Sequence, residues 1–224
     1  MLRVGVRATT FADVVQASGL SEDTVRKYCA DAEGVLLKLL EGIEQDVIEP
    51  MIAEISKAPP TAELKLGAFI ESITKATPGR IARLSLLVLV GAEYGSGEGR
   101  VAIRSARLFG HIYRTVEGII QFGWLRGTFR TDIAIKDLTM ALVGALTGTV
   151  LEARRMGATV DPAQLDRAVR LVLLRGMEDK VALERVLARL RRAGLLPLNS
   201  RALNPRRLKA PKSRLLTSAL LAVA

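Results

Sequence analysis

The stretch "ATTFADVVQASGLSEDTVRKYCADAEGVLLKLL", residues 8–40, decides how this chain is read. Thr9 and Thr10 precede one short helical run, Ser18-Gly19-Leu20 has the composition of a turn, and Ser21 opens a second run. Ser and Thr serve at helix starts because their side-chain oxygens accept from the first free backbone N–H groups. Gly19 suits the positive φ of a sharp turn. Val14, Leu20 and Val25 are spaced to pack two helices against each other at a steep angle. The pattern predicts a helix from Thr9 or Thr10 to about Ala17 and a second from Ser21 to about Cys29. Asp31 then caps a longer helix whose apolar positions Val35, Leu36, Leu39, Leu40, Ile43, Val47 and Ile48 keep one face, with Pro50 expected to kink or end it.

Working outward, apolar residues recur at i, i+3, i+4 and i+7, alternating strand patterns are nearly absent, and no internal repeat stands out. The expected fold class is all-α. Pro59-Pro60 breaks the chain, Thr61 starts a helix to about Thr74, and Pro78 opens another to about Glu93 through the apolar "SLLVLVGA". "YGSGEG" reads as a loop. A helix from about Arg100 to Phe122 is expected to bury Ala102, Ala106, Phe109, Tyr113, Val116 and Ile120. His111 falls on its opposite face with Arg104, Arg107 and Arg114. "GWLRGTFRTD" is a turn, Asp132 is expected to cap a helix to about Met156, and Asp161-Pro162 opens one ending near Gly176. A last amphipathic helix, about Met177 to Arg192, leads into a tail expected to be mostly disordered, with a short apolar helix at its end. The organisation that follows is a helix-turn-helix region 1–48, a helical bundle 49–193, and a basic tail 194–224.

The chain has 224 residues and a formal charge of +10. That excess is local. Eleven of the 33 Lys/Arg and one of the 23 Asp/Glu lie from Lys180 onward, so residues 1–179 balance at 22 of each. The net charge is therefore no evidence about the helix-turn-helix region, where five bases face five acids up to Lys38. Single copies of cysteine (Cys29) and histidine (His111) exclude an internal disulfide and make a zinc site a poor reading. Cys29 reads as a small core residue. "GAEYGSGEG" lacks the Lys-Ser/Thr of a phosphate-binding loop, and no Ser/His/Asp set is suggested. The expectation is no enzyme, no cofactor and no metal. The longest apolar runs are too short to span a bilayer and no signal peptide is evident, so the expected location is the cytoplasm, without a membrane partner.

Residues 9–40 resemble the DNA-binding end of TetR-type (tetracycline-repressor-like) transcriptional regulators at Thr10, Val14, Gly19, Leu20, Ser21, Thr24, Val25, Tyr28, Glu33 and Leu36. The resemblance continues weakly to about residue 178 through "GWLRGTFRTD" and "VRLVLLRGM". It implies a helix-turn-helix joined to a helical ligand-binding and dimerisation domain. The chain departs from the pattern at Val15, Asp23, Arg26, Cys29 and Ala32. The resemblance also implies a full helix ahead of the motif, where only Met1 to Val6 stand, so the region is read as N-terminally incomplete. In such a motif the exposed side of the second helix enters the major groove, while hydroxyls and backbone N–H groups at helix starts meet phosphates. The candidate DNA-binding residues are Thr9, Thr10, Ser21, Glu22, Asp23, Thr24, Arg26, Lys27 and Tyr28. Glu22 and Asp23 either accept from cytosine or act as partners of the helix dipole.

The resemblance places an apolar ligand pocket among helices 61–122, with Phe69, Leu87, Phe109 and Tyr113 as candidates, and suggests a small apolar or aromatic ligand. It places a two-fold dimer interface on the helix after Asp132 and the next. The candidates there are Leu138, Ala141, Leu142, Ala145, Gly148, Val169 and Val172, with packing inside one chain as the alternative. The expected function is a homodimeric repressor of a palindromic operator in double-stranded DNA, released by its ligand. A dimer that no longer reads DNA, and a helical enzyme or small-molecule carrier, stay open as alternatives. The basic tail has three open readings: a nucleic-acid arm, a membrane-surface segment, or a non-native extension from a shifted reading frame.

Overall fold

The computed structural model describes residues 5–95, 97–156 and 161–178, all within one unit, Met1–Asp179. The expected helix 177–192 beyond its first residues, the tail 194–224 and the domain boundary between them lie outside the described residues. Among the described residues are α1 (Phe11–Ser18), α2 (Glu22–Arg26), α3 (Ala32–Ile43), α4 (Glu49–Lys57), α5 (Ala62–Thr74), α6 (Pro78–Tyr94), α7 (Arg100–Leu125), α8 (Ile135–Met156) and α9 (Pro162–Met177). The described residues contain no β-strand; a single isolated bridge joins Phe129 and Glu178.

The caps explain most of the boundaries. Thr10, Ser21, Asp31, Thr61, Thr77 and Asp161 each accept from a backbone N–H in the first turn of the helix they precede. Several boundaries differ from expectation: α2 ends at Arg26 rather than near Cys29, and α7 runs on to Leu125 through the first residues of the expected turn. Pro50, expected to kink or end the helix begun at Ala32, does not end the helical run: a π-helical turn over Glu44–Ile48 comes just before it and α4 continues beyond. A proline lacks the N–H and its ring crowds the carbonyl four residues back, and a wider turn accommodates both features. Asp132 does not cap α8. Its carboxylate takes two bonds, of 2.7 and 2.6 Å, from the Arg130 guanidinium, and the helix starts at Ile135.

The core forms where α5, α6, α7 and α8 meet α3 and α4. Leu40, Val47, Ile48, Leu66, Ile70, Val90, Leu108, Val116 and Ile120 are fully buried there. Leu39 is exposed, off the buried face of α3. On α7 the buried stripe includes Val101, Ser105, Leu108, Ile112, Val116 and Ile119, so the face turned to the core is rotated from the expected one. Ala102, Val116 and Ile120 are buried as expected, but Ala106 is exposed, and Phe109 and Tyr113 are half-buried at the edge. The stripe is set by several neighbouring helices together, and hydrophobicity along one helix locates it only to within a residue. At the end of α7, Gly127 (φ 68°) reverses the chain, and the N–H groups of Gly127 and Thr128 close onto the carbonyls of Trp124 and Gly123. That turn drives Phe129 into full burial against Gly123, where a Cβ would overlap the ring.

A polar chain ties α5 to α9. The Thr74 hydroxyl lies 2.7 Å from an Asp166 carboxylate oxygen, Arg170 Nε donates to the other at 2.8 Å, and Arg170 also reaches Glu71 at 2.9 Å. Burial by itself would raise the Asp166 pKa, but the bonds from Thr74 and Arg170 outweigh it and hold the carboxyl below its ordinary value. Asp166→Ala takes the acceptor from Arg170 Nε and leaves the buried Thr74 hydroxyl only the Ile70 carbonyl, at 3.0 Å. We expect a loss of about 1–3 kcal/mol, read as a lower urea midpoint at unchanged slope.

Glu93, near the end of α6, accepts from the backbone N–H of Val6 at 2.9 Å and of Arg7 at 2.7 Å. These bonds favour the carboxylate and lower the Glu93 pKa. The anchor is therefore complete above the ordinary glutamate pKa and is lost as pH falls through the lowered folded value. The amide protons of Val6 and Arg7 should titrate with a midpoint below the ordinary glutamate value, and Glu93→Gln should remove that titration.

Candidate nucleic-acid interface and ligand cavity

The head consists of α1 and α2. Thr10 caps α1 in a reciprocal arrangement: Asp13 N–H donates to Thr10 Oγ1 at 3.2 Å, and Thr10 N–H donates to the Asp13 carboxylate at 2.8 Å. The Thr10 hydroxyl, which also donates to that carboxylate at 2.7 Å, and then the Thr10 N–H hold the Asp13 carboxyl below its usual range. Gly19 turns the chain at φ 67°. Ser21 then caps α2, accepting from Thr24 N–H at 3.3 Å, with its hydroxyl 2.7 Å from that of Thr24. Val25 is buried on α2, while α1 has no buried residue.

Arg26 clamps the two helices together. Its guanidinium binds Glu22 Oε1 at 2.8 and 2.6 Å, donates to the Ala30 carbonyl at 3.0 Å, and sits 4.7 Å over the Phe11 ring. Glu22 and Arg26 therefore neutralise each other on the same face. Ser21, Asp23, Lys27 and Tyr28 are exposed, Tyr28 at 75%. The Lys27 side chain has no hydrogen bond or ion pair among the described residues. Thr24 is half-buried and Thr10 is occupied by Asp13. Thr9 corrects the expectation of a phosphate contact. It is buried, and its hydroxyl donates to the Gly5 carbonyl at 2.8 Å, holding the segment that Glu93 anchors. Sequence reasoning missed Glu93 because its partners are backbone N–H groups 86 and 87 residues away.

Of the four candidate pocket residues, Phe69, Leu87 and Phe109 converge on one space, with Ile112, Leu146 and Val150, while Tyr113 does not line it. That space is about 30 Å³, close to filled. A larger cavity of about 450 Å³ lies beside it and shares Ile73 and Val150 as walls. It is lined from the end of α5, the start of α6, the end of α8 and the start of α9, with Thr74, Ile81, Ala82, Thr149, Ala153 and Arg154 among its walls. No motif marks it in the sequence, since it arises where the ends of four helices diverge. Its small residues, Ala82 and Ala153, are the signal that was available.

The candidate dimer residues separate by side. Leu138 and Leu142 are buried in the chain's own core, which corrects their assignment to an interface. Ala141, Ala145 and Gly148 are exposed on the opposite side of α8, beside exposed Met140 and Gly144. On α9, Val169 is half-buried and packs against the core, whereas Leu171 and Val172 are exposed at 51% and 69%. Helical periodicity places all of these on two helices, but only the packing of α8 on α6 and α7 separates the inner from the outer stripe.

Among the described residues, no group of His, Cys, Asp and Glu could hold a metal ion, and no helix is long and apolar enough to cross a membrane. No family model matches the chain, and no curated protein matches it. Solved structures do. The MbdR regulator of Azoarcus sp. CIB is 26% identical, with a TM-score of 0.69 over 80% of this chain and 93% of that one. The ketosteroid transcriptional regulator KstR2 of Mycobacterium tuberculosis is 16% identical, with a TM-score of 0.66 over 79% and 88%. PfmR of Thermus thermophilus, a TetR family transcriptional regulator, is 19% identical, with a TM-score of 0.61 over 78% and 92%. With a capped helix-turn-helix leading into a bundle of long helices around a cavity, the chain has the fold of the TetR-type transcriptional regulators.

Proposed function

We propose that the protein is a homodimeric DNA-binding transcriptional regulator, a repressor that a small, largely apolar ligand releases from a palindromic operator. The observation that carries this reading is the head. A glycine turn sets two capped helices against each other, and the second presents Ser21, Asp23, Lys27 and Tyr28 outward. That is the arrangement by which a short helix enters a major groove. Arg26 has a positioning role, joining α2 to α1. Lys27 is the phosphate contact, Tyr28 a packing or phosphate contact, and Asp23 a base-edge acceptor.

One head supplies little affinity. Phosphate neutralisation dominates binding, and within α1, α2 and the residue that ends α2, only Lys27 is a cation without a partner among the described residues. Two heads on a two-fold axis reading two half-sites make up the deficit. The exposed stripes Ala141, Gly144, Ala145 and Gly148 on α8 and Leu171 and Val172 on α9 support such a dimer. Small residues let two helices approach closely, and the larger apolar groups fill the space around them.

Helix α6 supplies the route from ligand to head. Pro78, Ile81 and Ala82 at its start line the large cavity, and Glu93 near its end holds Val6 and Arg7 shortly before α1. A ligand that fits better when α6 is displaced shifts the population of the two head spacings. The shift is limited by the ligand's preference between the two states, about 10⁴-fold for a full reversal from 1:99 to 99:1.

Selection of genomic fragments on the purified full-length protein should enrich one palindromic sequence whose affinity falls steeply with salt. Recovery of no common sequence would overturn the reading and favour a dimer that binds ligand without reading DNA. Lys27→Ala should weaken all sequences alike and lower the salt slope by about one per head. Arg26→Ala should cost the head about 1 kcal/mol through lost clamping, leaving the body's unfolding unchanged.

A further inference from the structure

We propose that the ligand of the large cavity is a single-headed organic acid, with its carboxylate on Arg154 and its apolar body inside. The proposal rests on the ligand-binding reading above and specifies the chemistry of that site. Three observations carry it. First, Arg154 is the only charged side chain among the described residues that line the cavity of about 450 Å³. Second, Arg154 is half-buried, and its side chain has no hydrogen bond or ion pair among the described residues. The nearest acid on its own helix, Glu152, is already bound to Arg155 at 2.8 Å. Third, the hydroxyl protons of the two wall threonines are already committed. Thr74 Oγ1 is 2.7 Å from Asp166, and Thr149 Oγ1 donates to the Ala145 carbonyl at 2.9 Å.

A guanidinium at the edge of an apolar space loses hydration and gains no partner until an anion arrives. Its planar fork fits a carboxylate through two parallel N–H···O bonds, and charge-assisted bonds of this kind are stronger than neutral ones. With the hydroxyl protons of Thr74 and Thr149 spent and no second charge among the named wall groups, the body of the ligand is largely apolar. The cavity lies within the range of about 300–1,000 Å³ usual for small-molecule sites. Its walls Ile73 and Val150 also bound the 30 Å³ space near Phe69 and Phe109, so a flexible tail can extend toward it by modest side-chain movement.

The test measures calorimetric binding of matched probes to the full-length protein without DNA. The probes are decanoate, 1-decanol and decylamine, with 4-phenylbutanoate as an acid of different shape. At least one acid should bind saturably at a single site, and decanoate should bind about ten- to a hundred-fold more tightly than decanol, the size of one charge-assisted contact. Arg154→Met should erase that difference while leaving decanol binding unchanged, and Arg154→Lys should restore part of it. Ala82→Trp, with folding checked by circular dichroism, should abolish binding of acid and alcohol alike. Failure of both acids to bind, equal binding of acid and alcohol, tightest binding of decylamine, or unchanged acid affinity in Arg154→Met would each overturn the proposal. Operator selection is a separate readout. Success there with no acid binding removes only the ligand class, and acid binding without operator enrichment removes only the DNA-reading role.

Discussion

The head buries Val25 and little else, so its position depends on what holds it to the body. Two small helices with one buried side chain between them cannot offset the entropy of ordering their own backbone. The missing stability comes from outside. Glu93 grips the two amides before the head, Val6 is buried in the main core, and Arg7 stacks on Tyr94 at 4.9 Å. On the other side, α3 runs from its Asp31 cap directly into the core through Leu36 and Leu40. The head is thus held at both ends by the body it would have to obey.

This dependence gives α6 a double role. Its middle, Leu84 to Leu87 and Val90, is buried and anchors the bundle. Its start forms part of the cavity wall at Pro78–Ala82, and Glu93 near its end anchors the head. A packed helix moves as a rigid body more readily than it bends, so displacement at one end is felt at the other. The acids of the head are committed in a similar way. Glu22 is bound to Arg26 and Asp13 completes the cap of α1, so both shape the head and neither stands as free charge opposed to phosphate.

Much of the fold was legible in the chain because it is written in local signals. Caps at Thr10, Ser21, Asp31, Thr61 and Asp161, the glycine at position 19 and the break at Pro59-Pro60 each act within a few residues. Local rules failed where a neighbour intervened. Asp132 is taken by Arg130 rather than by a helix start, and Leu39, on the expected apolar stripe of α3, is left exposed. The candidate sites were legible in part for the same reason. Arg26 was recognisable as an important cation, but its engagement with Glu22, Ala30 and Phe11 is a matter of geometry.

What the sequence by itself determined is the all-helical class, the order of the helices, the helix-turn-helix and the confinement of excess positive charge to the residues from Lys180 onward. These follow from hydrophobic period, capping chemistry and composition, all of which are properties of contiguous residues. Only the tertiary structure decided that Leu138 and Leu142 face inward while Ala141 and Ala145 face out, and that Thr9 is buried. It alone placed a cavity, with Arg154 unpaired among the described residues, beside the aromatic cluster rather than within it. The physical reason is that burial, enclosure and the pairing of charges depend on which helices lie against which, and residues far apart in the chain settle that together.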